Sequence, residues 1–127
     1  MPRRPRNDEP GAWHHVFNRG IARRTVFESE RDIRKFLSLF ARCARAGRLE
    51  IHAYCVLTTH FHFLVRSPCG DISSAMQWIQ NQYVRWFNRG RRRDGPLLRG
   101  RFGSKRAESL TYRRHLVRYI DFNSVGA

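Results

Sequence analysis

The sequence predicts an α+β fold of the ferredoxin-like type. This is a split βαβ arrangement in which an antiparallel sheet carries flanking helices and an added C-terminal helix. Three observations predict it. Residues 12–20, 49–57 and 60–67 alternate at the period of a strand, while residues 29–46 and 72–88 repeat at the period of a helix. Only Thr58 and Thr59 separate the second and third strand-like runs, a link short enough for an antiparallel hairpin. The resulting order is β-α-β-β-α-β-α, within one domain spanning residues 1–127.

The elements follow in chain order. "MPRRPRNDEPG" is rich in Pro and Arg and reads as a basic N-terminal arm over residues 1–11. "AWHHVFNRG" is a strand closed by Gly20. Ser29 is placed to cap the first helix, Ile33, Phe36, Leu37, Phe40 and Ala44 form its apolar stripe, and Gly47 stops it. In "LEIHAYCVL" strict alternation assigns Leu49, Ile51, Ala53, Cys55 and Leu57 to one face and Glu50, His52, Tyr54 and Val56 to the other. In "HFHFLVRS" Phe61, Phe63 and Val65 oppose His60, His62 and Leu64. Asp71 is the expected N-cap of the second helix, whose stripe is Ile72, Ala75, Met76, Ile79, Tyr83, Trp86 and Phe87. "PLLRGRFGSKRAE" reads as an extended segment or fourth strand. "SLTYRRHLVRYIDFN" reads as a third helix with Tyr112, Leu116, Tyr119 and Ile120 inward.

Charge narrows the class of partner. The chain has 25 Lys and Arg against 10 Asp and Glu, a net charge of +15. All but Lys35 and Lys105 of the basic residues are Arg, which pairs bidentately with phosphate and stacks on bases. A small domain of this kind is expected to bind nucleic acid. Arg85, Arg89, Arg91, Arg92, Arg93, Arg99, Arg101, Lys105 and Arg106 crowd the region of the second helix and beyond. Arg3, Arg4 and Arg6 arm the N-terminus. Trp13, Trp78 and Trp86 are aromatic candidates for stacking. Cys43, Cys55 and Cys69 form no CxxC pair and fit free thiols in a reducing compartment. With no signal peptide and no apolar run of spanning length, the expected location is the cytoplasm, without a membrane partner.

Two features carry possible chemistry. His60 and His62 lie two residues apart on one strand face, where two imidazoles can converge on one divalent cation. The spacing alone also fits an ordinary exposed sheet face. Tyr83 sits among polar and basic neighbours and is a candidate nucleophile toward a polarised phosphate. Its place within an apolar stripe equally fits a core tyrosine.

The blocks "PG", "HHVFNRG", "HAYCVLTTHFHFLV", "YVRWFNR", "GPLLRGRF" and "YIDFNSV", in that order, resemble the single-tyrosine HUH transposases. Within them, the sequence is most similar to the tyrosine transposases associated with repetitive extragenic palindromes. His60-Phe61-His62 supplies the His-hydrophobic-His signature. The resemblance implies binding of single-stranded DNA beside a hairpin, with Mg²⁺ or Mn²⁺ held by the two histidines. It further implies strand cleavage and rejoining through a 5′-phosphotyrosine link. Carried over, His60 and His62 are the metal ligands and Tyr83 the nucleophile. Thr58-Thr59 stands where the family has a Pro-Asn pair, and "NSVGA" where it has "NPVRAG". The third ligand stays open among Gln80, Asn88, water and a DNA phosphate, since Phe87 cannot ligate. Also open are whether Tyr83 acts within one chain or across a dimer, and whether the protein is a monomer or a dimer. The rival readings are a non-catalytic single-strand-binding module on the same fold and a hydrolytic metal nuclease.

Overall fold

The computed structural model describes residues 8–114. Its elements are β1 (Ala12–Arg19), α1 (Glu30–Arg45), β2 (Glu50–Val56), β3 (His60–Ser67), α2 (Ile72–Gly90) and β4 (Gly103–Arg106). A single 3₁₀ turn, Ile21–Arg23, follows β1. The four strands form one sheet in the order β2-β3-β1-β4, and every pairing is antiparallel. This is the ferredoxin-like α+β sheet that the sequence predicts. A further helix begins at residue 110 and is described to residue 114; the rest of the predicted third helix lies outside the described residues.

The sheet has two unlike faces. Register pairs Val16 with Phe63, Asn18 with Phe61 and His14 with Val65, so these six side chains share one face. Alternation sends Trp13, His15, Phe17, His60, His62 and Leu64 to the other. Helices α1 and α2 cover the first face. There Phe36 packs on Phe27, Phe40, Phe61 and Tyr83 at ring separations of 4.8–5.2 Å. Phe40 stacks on Phe63 at 3.8 Å. The main core is built here, and Tyr83 is part of it.

Three local predictions change. A bulge between Ile51 and Ala53 adds a residue to β2. One extra residue reverses every later side chain. Leu49 and Ile51 therefore pack into the main core, whereas Cys55, Ala53 and Leu57 join a small cluster with Leu64 on the opposite face. The stripe of α1 is also rotated: Asp32, Leu39 and Cys43 are buried with Phe36 and Phe40. Finally, Ser29 does cap α1, accepting from Asp32 N, but Asp71 makes no capping bond on α2. Its carboxylate takes Arg48 Nε at 2.8 Å instead. The α2 N-terminus is capped from a distance by Asp8, whose Oδ2 accepts from Ile72 N at 2.6 Å. Asp8 thereby fixes the root of the N-terminal arm.

Gly20 holds the turn after β1. A Cβ there would lie 2.1 Å from the carbonyl oxygen of Arg24, so only glycine admits the close approach. The turn is bound to the Thr58-Thr59 link: Gly20 N donates to Thr59 O, and Val26 N and Phe27 N donate to Thr58 O. Ala22 and Arg23 then adopt left-handed backbone at φ +52° and +60°. Each such non-glycine residue costs on the order of 1 kcal/mol. The tight attachment on either side holds them there.

Candidate active site

His60 and His62 project from β3 onto the face away from α1 and α2. Their ring centroids are 5.3 Å apart, with planes at 86°. Both line one cavity of about 770 Å³ together with Phe17, Asn18, Arg19, Arg23, Thr59, Arg99, Arg101 and Gly103. The pairing of β1 with β3 builds this site. It sets Arg19 opposite His60 and Phe17 opposite His62. Loop residues 99–101 close the rim through Arg99 N donating to Arg19 O.

Polar contacts orient both rings. The Thr59 hydroxyl lies 3.0 Å from His60 Nδ1, and His15 Nε2 lies 3.0 Å from His62 Nδ1. Burial holds His62 neutral, with the nearby His60 adding to the effect, so its pKa falls to about 4. Burial, then His62 and Lys105, lower His15 to about 4 as well. Burial also lowers His60. Neutral imidazole is the form that ligates a metal.

These depressed values carry a stability consequence. In the unfolded chain the histidines titrate near their ordinary 6.5. Between pH 6.5 and 4 the unfolded state therefore binds more protons than the folded one. The stability that the neutral pair contributes is fully present above pH 6.5 and is lost as pH falls toward 4. Urea titrations in EDTA are expected to show a falling midpoint across that window. A His15→Gln variant is expected to flatten the fall.

Tyr83 is not brought to the histidines. It is on the helix-covered side of the sheet, 0% exposed, and its hydroxyl donates to Val26 O at 2.7 Å. Burial, reinforced by the Asp32 carboxylate, pushes the phenol well above its ordinary pKa. A neutral, sealed phenol is a poor nucleophile. The same burial closes it to a partner chain, so the choice between one chain and a dimer falls away for this residue. Its assignment as nucleophile is corrected accordingly. Tyr83→Phe is expected to cost about 1 kcal/mol, the worth of one buried hydrogen bond, measured by chemical denaturation, and to leave activity intact.

The third-ligand candidates on α2 are engaged by other partners. Gln80 is buried on the helix-covered side and accepts from Asn18 Nδ2 at 2.8 Å. Asn88 donates to Gly95 O at 3.1 Å. Among the described residues no group of three or more His, Cys, Asp or Glu side chains could hold a metal ion.

The predicted basic residues divide by position. Arg99 and Arg101 line the histidine cavity, and Lys105 lies opposite His15 in the β1–β4 register. Arg85 and Arg101 line a second cavity of about 710 Å³ with Gln77 and Asn81 of α2. Arg89 borders a smaller cavity beside Trp86, and Arg92 is exposed. Three others have structural partners. Arg91 pairs with Asp32 and Glu28 and lies 3.7 Å over the Phe87 ring. Arg93 holds Asn88 and Pro96 O, and Arg106 pairs with Glu108 and Glu9. Arg3, Arg4 and Arg6 lie outside the described residues. All three tryptophans are covered by cations: Trp13 by Arg113, Trp78 by Arg42, and Trp86 by Arg31 and Lys35.

Sequence reasoning missed His15, Phe17, Arg19 and Arg23. Alternation in "WHHVFNR" places His15, Phe17 and Arg19 on one face, but only the β1–β3 register shows that this is the face of His60 and His62. The helix starting at residue 110 also reaches it. Tyr112 Oη lies 3.4 Å from His15 Nδ1, and Arg113 stacks on Trp13 at 4.3 Å.

The antiparallel sheet thus presents a neutral histidine pair in an arginine-lined cavity. The family of IS200-like transposases matches residues 10–121, and the chain belongs to that family. Among solved structures, it is similar to the REP-associated tyrosine transposase bound to a REP hairpin. The TM-score is 0.80 at 23% identity, covering 99% of this chain and 74% of that one. It is also similar to a protein from Deinococcus radiodurans R1 described as a transposase. That TM-score is 0.61 at 16% identity, covering 96% of this chain and 98% of the other. At these identities the likeness speaks for the fold. No curated protein matches the sequence. Among the described residues no helix is long and apolar enough to cross a membrane.

Proposed function

We propose that the protein cleaves and rejoins single-stranded DNA beside a hairpin through a covalent 5′-phosphotyrosine intermediate. The observation that carries this reading is the placement of His60 and His62 together in one arginine-lined cavity. Family membership supports a transposase-like action on DNA, and the hairpin bound by a structural relative supports the form of the substrate.

The residues present fit a divalent ion. Two neutral imidazoles share one cavity, each with its Nδ1 beside a polar neighbour, so Nε2 of each would be the atom left to ligate. When bound, Mg²⁺ or Mn²⁺ would polarise the scissile phosphate and stabilise the departing oxygen. DNA oxygens and water would complete a shell to which, among the described residues, His60 and His62 would contribute. Arg19, Arg23, Arg99 and Arg101 hold the flanking phosphates.

The nucleophile follows by elimination. The chain has four tyrosines. Tyr83 is sealed in the core, and Tyr54, paired with Phe63, shares that residue's face rather than the histidines'. Tyr112 is on the histidine face. Tyr119 follows it by seven residues, two helical turns, in the stripe that the sequence predicts for the third helix. The C-terminal pair Tyr112 and Tyr119 therefore supplies the attacking oxygen. That oxygen bonds to phosphorus, the bond to the 3′ oxygen breaks, and the 3′ oxygen leaves as a hydroxyl. Reversal by a 3′-hydroxyl rejoins a strand without an outside energy source.

The test is incubation with labelled hairpin DNA carrying single-stranded flanks, in Mn²⁺, followed by a denaturing gel. A protein–DNA adduct is expected. Cleavage without an adduct would indicate a hydrolytic nuclease. Binding without cleavage would indicate a single-strand-binding module.

A further inference from the structure

Phe17 is a large aromatic side chain in a place that core packing does not explain. Among the described residues it joins neither of the two buried apolar clusters. It is half-buried and lines the histidine cavity amid Arg19, Arg23, Arg99 and Arg101. Its ring lies 4.9 Å from that of His15 and 6.1 Å from that of His62, tilted by only 30° from the latter.

The backbone beneath it is shaped to receive it. Gly103 of β4 stands opposite Phe17 in register. A Cβ on Gly103 would meet Phe17 Cε2 at 2.3 Å and Cζ at 2.5 Å. The ring thus lies against bare backbone, and any side chain at residue 103 would displace it. The three tryptophans, by contrast, are already covered by cations.

An aromatic face in a cationic, partly open cavity suits a nucleobase whose phosphates are held at the rim. We propose that Phe17 is a base-stacking platform: it receives a nucleobase of single-stranded DNA beside the scissile phosphate and so positions the strand over His60 and His62. This deepens the proposed function and rests on the reading that the histidine cavity takes single-stranded DNA. Phe17 is a positioning residue that takes no part in proton or phosphoryl transfer. Gly103 acts through it.

The test compares binding of dT10 with binding of a ten-residue abasic strand of equal charge, by fluorescence anisotropy without metal. Wild-type protein is expected to prefer dT10, because stacking is worth about 5- to 100-fold per base. In Phe17→Leu, which keeps apolar bulk and the fold, the preference is expected to fall by about fivefold or more. Phe17→Trp is expected to keep it. The salt dependence of dT10 binding is expected to be unchanged in Phe17→Leu, since the phosphate contacts remain. Gly103→Val, which displaces the ring, is expected to behave like Phe17→Leu. A preference that changes by less than about twofold in a folded Phe17→Leu protein overturns the inference. Adduct formation is scored separately with the same proteins. Loss of stacking preference without any wild-type adduct would uphold the platform and reject the transferase. A wild-type adduct with unaltered stacking in Phe17→Leu would do the reverse.

Discussion

His62→Ala is expected to lower the rate of DNA strand cleavage by on the order of 10³-fold, with His60→Ala close behind. Each substitution removes one of the two imidazoles that share the cavity, and among the described residues no group of three or more His, Cys, Asp or Glu side chains could hold a metal ion in its place. The loss should fall on the chemical step. Arg19, Arg23, Arg99 and Arg101 are untouched, so the affinity for hairpin DNA in EDTA should change only a few-fold. His15→Ala is expected to sit between. It removes the partner that orients His62 through Nδ1, and loss of such an orienting contact costs about 10- to 100-fold. Single-turnover cleavage and equilibrium binding, measured side by side across a Mn²⁺ titration, check this ranking. Equal losses in all three variants would show that the histidines act as a packed unit and not as ligands with a supporting neighbour.

Asp32→Ala is expected to destabilise the fold by about 3 kcal/mol, near the lower end of the range for breaking a buried ion pair. Asp32 is 1% exposed. Its Oδ2 accepts from Glu28 N at 2.8 Å and from Arg91 Nη2 at 2.7 Å. It therefore ties the N-terminus of α1 to the end of α2. Alanine leaves the Glu28 amide and the Arg91 guanidinium without this partner. Arg91 is partly exposed and can turn to water, which holds the cost near that lower end. For a chain of this length the melting temperature should fall by roughly 10 °C. Asp32→Asn should recover part of the loss, because the amide oxygen still accepts from Glu28 N. Urea titration of the three proteins measures both effects. A cost below about 1 kcal/mol for Asp32→Ala would show that the pair is surface-like in its energetics.

The sheet and the histidine pair were legible in the sequence because both depend on period-two alternation, which "HFHFLV" displays cleanly. The α1 and α2 boundaries were legible from Ser29, Gly47 and the apolar repeats. Three things were not. The β2 bulge inserts a residue that no turn signal marks, so Cys55 and Leu57 appeared to share a face with Ile51. The cap of α2 comes from Asp8, sixty-four residues before Ile72, and long-range capping leaves no local trace. The third is the burial of Tyr83: its polar neighbours in "IQNQYVRWFNR" suit a reactive site, yet it stands in the stripe of Ile72, Met76 and Ile79 and is sealed there. A helical period states which side faces the core, and here it placed Tyr83 inward. What it cannot state is that this core lies on the sheet face opposite His60 and His62. The arginine count points to a nucleic-acid partner, but does not reveal that Arg91, Arg93 and Arg106 serve the fold.

The most direct measurement is to locate the DNA on the protein. Trypsin separates the four tyrosines into residues 49–66, 67–85, 107–113 and 119–127, each peptide holding one of them. The adduct formed on hairpin DNA in Mn²⁺ is digested with nuclease and trypsin and examined by mass spectrometry. A nucleotide mass is predicted on Tyr112 in 107–113 or Tyr119 in 119–127, and absent from material made with His62→Ala. A nucleotide on Tyr83 in 67–85, or an adduct that forms as readily in His62→Ala, would contradict the account.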